Sequence, residues 1–189
     1  VPGLVVLRPG DANEVVEAYK VIAQLRHQPS ALVLTRQALP TLDRKVYASA
    51  AWLAKGAYVL ADSGDGPPEV ILIGTGSELS LCVGAYETLK AEGVAVRVVS
   101  MPSWDLFEAQ DQTYRESVLP STVRARVSVE AGTTIGWDRY VGPTGTAIGM
   151  HTFGASAPIK DLMAKYGFTP DAVLAAARQQ LATGTEHSA

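Results

Sequence analysis

Among 189 residues there is a single cysteine, Cys82. This excludes a disulfide framework and a thiolate metal site. One thiol fits a reducing, cytoplasmic compartment. No apolar run comes near the roughly 20 residues that a membrane helix requires, so a membrane partner is not expected. Positive charge is neither dominant nor clustered: 16 Lys and Arg are scattered against 19 Asp and Glu, for a net charge of −3. That argues against a nucleic-acid partner. Internal repeats and low-complexity tracts are missing as well. So are an initiator Met and a secretory leader. The chain opens at "VPGLVVLRP", almost inside a strand, as expected of a piece cut from a longer protein.

What is there reads as a globular α/β protein. Hydrophobic residues make up 47% of the chain, ample for a core. Leu4–Leu7 is a short apolar strand. Asp11 and Glu14 are spaced as a capping box for the helix that follows, with Val15, Val16, Tyr19, Ile22 and Ala23 on one face. Ser30–Thr35 is continuously apolar and reads as a strand buried on both faces. Two parallel strands do not make a stable domain, so this region is expected to be the tail of one. The texture then changes, which places a domain boundary between about 45 and 66, with one short strand at Tyr58–Ala61.

From Glu69 onward strands and helices alternate. Strands are expected at Val70–Ile73, Val94–Ser100, Arg126–Glu130 and Thr146–Met150. Helices are expected at Ser77–Glu92, Asp111–Val118, Pro158–Tyr166 and from Thr169 onward. The pattern predicts a mostly parallel, five-stranded sheet between two helical layers, with Tyr58–Ala61 as an antiparallel edge. "ATGTEHSA" reads as a polar tail.

"GTGSE" (Gly74–Glu78) is the sharpest motif. A strand, a glycine turn and a helix can cradle a phosphate. Yet Leu79 stands where a third glycine would be, and no Gly-Lys-Ser/Thr follows. The favoured reading is a tight turn whose helix is capped by Ser77 or Glu78. Other candidates are Glu130, at a strand end where it could act chemically or cap the turn at Gly136-Trp137, and His151. Cys82 reads as core filler. Trp52, Trp104 and Trp137 read as pins for loops. Arg36 follows a strand read as buried, where a guanidinium needs an anion: either a ligand phosphate or carboxylate, or a structural acid.

Seven runs in order resemble the C-terminal third of the bacterial transketolase family: "RPGDANE", "ALVLTRQALP", "GTGSE", "RVVSMPSWDLFEAQD", "YRESVLP", "VSVEAG" and "FGASAP". The resemblance extends from Val1 to about Leu181. The resemblance implies a cytoplasmic homodimeric enzyme that moves a two-carbon ketol unit between sugar phosphates, using thiamine diphosphate and Mg²⁺ or Ca²⁺. It implies that residues 1–45 end the pyrimidine-binding domain, 46–65 link, 66–185 form the C-terminal domain and 186–189 are tail. The arginine of the family's "TRQ" motif binds sugar phosphate and matches Arg36. No catalytic, cofactor or metal residue of the family has a match here. The piece is therefore expected to support structure and dimer formation and to be inactive alone. A related thiamine enzyme such as 1-deoxyxylulose-5-phosphate synthase, or a regulatory domain binding an anionic effector at Gly74–Glu78, are the competing readings.

Overall fold

The structure, a computed structural model, describes residues 2–185. A small first layer comes from β1 (Val5–Leu7), α1 (Ala12–Gln24) and β2 (Ser30–Leu32), with β1 and β2 parallel. A 3-10 helix at Ala50–Lys55 then packs its buried Leu53 against Val5, Leu7 and Ala18. The rest is one sheet built from β3 (Tyr58–Asp62), β4 (Val70–Gly74), β5 (Val96–Ser100), β6 (Arg126–Thr133) and β7 (Thr146–Met150). Its order is β3-β5-β4-β6-β7, and only β3 runs antiparallel. The expected mixed α/β sheet with one antiparallel edge is what forms.

Alternation along the central strands builds two cores. Val70, Leu72, Val96, Val98, Val127 and Val129 face α2 (Leu79–Ala91) and α7 (Pro170–Thr185). Ile71, Ile73 and Val99 face the opposite layer of α3 (Trp104–Glu108), α4 (Gln112–Val118) and α5 (Asp138–Val141). A further helix, α6 (Ile159–Tyr166), ends at Gly167 with φ +76, a left-handed C-terminal cap. Asp111 and Thr169 accept backbone N–H bonds as helix caps.

Several expectations are corrected. β2 stops at Leu32 and is only half-buried, because β1 is its sole strand partner among the described residues and Val33 and Leu34 lie exposed. Only part of the apolar face expected on α1 turns inward: Ile22 does, whereas Val16, Tyr19 and Ala23 are exposed. Ala18, Val21, Ile22 and Leu25 pack inward against β1 and the 3-10 helix. Trp104 lies on a short helix rather than in a loop. The last helix continues through Thr185, so the first half of the expected tail is helical. The tail at 186–189 lies outside the described residues.

Candidate functional site

The carboxyl ends of β4 and β6 lie side by side, and the chain leaves them in opposite directions, toward β5 and toward β7. Such a reversal opens a crevice where open α/β sheets place ligands. The Gly74–Glu78 turn forms one wall and Glu130 the other. The floor is taken by Arg8, from the segment after β1. Its Nη1 pairs with Glu130 Oε1 at 2.9 Å, and its Nη2 stands 3.7 Å from Glu78 Oε2. Backbone bonds lock the same segment: Gly76 N–H donates to the Arg8 carbonyl at 3.0 Å, and Arg8 N–H donates to the Pro102 carbonyl at 2.8 Å.

Glycine is required where these pieces meet. Gly76 has φ +59, and a Cβ on Gly10 would lie 2.6 Å from Leu79 Cδ2. The tight-turn reading of "GTGSE" therefore agrees with the geometry, but the capping does not follow it. A 3-10 turn, Gly76–Glu78, intervenes before α2, and Glu78 makes no side-chain cap bond. The Glu78 carboxylate instead swings across to β6, accepting from Ala131 N–H at 2.9 Å and from Ser77 Oγ at 2.5 Å. A phosphate would meet a donor already spent on Arg8 and two carboxylates. Glu130 does not cap the next turn either. Its Oε2 accepts the Trp137 indole N–H at 2.7 Å.

A second joint lies one turn further along α1. Asp11 caps Glu14 N–H at 2.8 Å, as the capping box requires. The Glu14 carboxylate reaches back to Gly10 N–H at 2.7 Å, one residue before the expected partner. Glu14 is 0% exposed, and its Oε1 accepts from Tyr58 Oη and Ser100 Oγ, both at 2.6 Å. Arg44 completes the cluster. It donates to Asp11 at 2.8 Å and to Tyr58 Oη at 3.0 Å. Burial pushes the Glu14 carboxyl above its usual range, although Ser100, Tyr58 and Gly10 all pull it down. Burial, then Glu14, raises the Tyr58 phenol as well. The sequence reasoning found Glu14 only as a local cap. Its partners lie 44 and 86 residues away, and nothing local signals them.

The remaining candidates are dispersed. Arg36 lies in the coil beyond β2 and is exposed, so the desolvation argument that singled it out does not hold in this chain. Among the described residues it forms no ion pair with an acid. His151 is exposed beside Phe153, and His27 is exposed after α1. Cys82 is buried in the core, where burial pushes its thiol up. Trp104 packs edge-on to Trp137 at 5.0 Å, and Trp52 stacks on Tyr114 at 6.5 Å. His187 lies outside the described residues.

Comparison with known proteins decides the family. Residues 56–169 match the model of the transketolase-like TK C-terminal domain. The transketolase of Geobacillus stearothermophilus is 49% identical over 173 residues, 92% of this chain and 26% of that protein. The chain belongs to the transketolase family. The structure of the Leishmania mexicana transketolase superposes with a TM-score of 0.88 at 38% identity, covering 96% of this chain and 26% of that one. A Pichia stipitis transketolase in complex with sedoheptulose 7-phosphate superposes at 0.87 with 36% identity, covering 98% and 26%. The chain thus spans about a quarter of the length of the transketolases it matches.

Transketolase homologues imply thiamine diphosphate, and the residues present do not fit it. The Gly74–Glu78 turn, where a diphosphate could have been cradled, is closed by Arg8 and faced by Glu78. Among the described residues, no group of three His, Cys, Asp or Glu side chains is placed to hold a metal ion. No helix among them is long and apolar enough to cross a membrane.

Proposed function

We propose that the intact protein is a cytoplasmic, homodimeric transketolase that moves a two-carbon ketol unit from a ketose phosphate to an aldose phosphate. The observation that carries this reading is 49% identity to a named transketolase across 92% of the chain. Thiamine diphosphate, when bound, supplies the electron sink for the carbanion chemistry. That cofactor and its divalent metal, Mg²⁺ or Ca²⁺, belong to parts of the protein outside this chain. Residues 1–45 complete the pyrimidine-binding domain and 46–65 join it to the C-terminal domain, 66–185, lending β3 (Tyr58–Asp62) to that domain's sheet. The part played by this chain is to hold the end of one domain rigidly against the next and to support the dimer. The Arg8 and Glu14 joints are the support for that role.

Arg36 is the one residue assigned to substrate. Its exposure leaves the guanidinium free to grip a sugar phosphate bidentately. In the full-length enzyme, Arg36→Ala should raise KM for phosphorylated sugars by about 10–100-fold, the loss of one charge-assisted contact. An unchanged KM removes Arg36 from the substrate site. Turnover of xylulose 5-phosphate with ribose 5-phosphate should be present at full length and absent from residues 1–189 alone.

A further inference from the structure

Beside the Arg8 joint the crevice stays open. A cavity of about 740 Å³ runs outward from the carboxyl ends of β4 and β6, within the size range of small-molecule sites. At its floor is Thr75, 3% exposed, whose side chain makes no capping bond to the turn it begins. Arg8 contributes there as well, with a buried Nε that has no partner. One wall is Trp104, fixed edge-on by Trp137 and Tyr140, so its indole is held in a single orientation. At the mouth Arg139 is largely exposed, and its nearest acid, Glu108, is 4.0 Å away. The neighbouring carboxylates are already engaged: Glu130 by Arg8 and Trp137, Glu108 by Arg115 and Tyr140, and Asp105 by the Val6 N–H at 3.2 Å.

We propose that this cavity is a binding site for a flat organic molecule with one negative charge at one end and a neutral oxygen at the other. The body lies along Trp104 and the apolar side chains of β1. The single anion meets Arg139 at the mouth, and the neutral oxygen accepts from Thr75 at the floor. Asp105, Glu108 and Glu130 in the lining disfavour a polyanion such as a nucleoside di- or triphosphate. The site is separate from sugar-phosphate binding at Arg36 and does not depend on it.

The probe that matches this description is 6-hydroxy-2-naphthoate, with 2-naphthoate as the analogue lacking the hydroxyl. Calorimetric titration into the full-length protein should give saturable binding at one site per chain. Arg139→Gln should weaken both probes about tenfold, the worth of one charge-assisted bond. Thr75→Val should weaken only the hydroxylated probe, by several-fold. Ala109→Tyr, which fills the mouth from an exposed position, should abolish binding of both while the melting temperature stays near that of the parent. No binding of either probe, or binding that all three substitutions leave unchanged, overturns the proposal.

Discussion

Every residue of β4 is buried, whereas no residue of β2 is. The two strands sit in the same chain, and both lie in parallel pairings, yet only one of them lies inside a closed core. β4 has a strand on either side and a helical layer on each face. β2 has β1 alone. The five-stranded sheet therefore supplies its own stability. The β1–α1–β2 layer draws much of its stability from contact with that sheet, through Arg8, Gly10 and Glu14 directly and through Asp11 by way of Arg44. An element that cannot close its own core is held by directional polar bonds to one that can.

The sharpest way to break this comparison is to damage the closed side. Leu72 is fully buried in the centre of the sheet. Leu72→Ala should cost about 2–5 kcal/mol, for lost burial plus the cavity left behind. Chemical denaturation should show the whole molecule shifting as one transition, since the first layer has no independent support. Two separate transitions would mean that the layer stands alone.

The joint is next in size. Glu14→Ala leaves the Tyr58 and Ser100 hydroxyls and Gly10 N–H without their acceptor in a dry site. We expect a loss of roughly 3 kcal/mol. Hydrogen exchange should localise it: protection should fall in α1 and β1 and persist in β4 and β5. A uniform fall across both regions would show that the two are one cooperative unit without a weak side.

A gentler change sharpens the same joint. Glu14 holds its proton more tightly in the folded protein than in the unfolded chain, because burial outweighs its hydrogen bonds. The folded state then binds more protons, so stability is greatest below the ordinary carboxyl value of 4.5 and is lost as pH rises through the raised folded value. The Glu14→Gln variant lacks this slope. Its melting temperature should gain on the parent's as pH rises above 4.5. A difference that is flat with pH would show that Glu14 keeps an ordinary pKa in the fold.

How much of this was legible in the sequence follows from the same contrast. The strands of the closed sheet announce themselves as apolar runs between turn residues, and their order of appearance dictates a parallel sheet. The antiparallel edge at Tyr58 was legible too, since its short strand precedes the regular alternation. The glycine turn was legible as a turn but not as a receptor for Arg8, because docking joins residues remote in sequence. Glu14 could be read as a cap and not as a keystone for the same reason. The burial of β2 was misread because apolar composition records what a strand can bury, not what this chain offers to cover it. Arg36 inherited that error, since its case from charge and position assumed a buried strand.

The smallest expected effect tests what covers the open side. Val16 and Tyr19 are 54% and 57% exposed on α1. In the 189-residue chain, Tyr19→Ser should change stability by less than about 0.5 kcal/mol, as for other surface positions. Relatives in which this region is only 26% of the length have far more protein available to lie against that face. In the full-length protein the same substitution should therefore cost more, about 1.5–3 kcal/mol, the worth of a buried large side chain. Equal effects in both lengths would mean that α1 keeps its apolar face in water, and that the partial burial of this layer is its finished state.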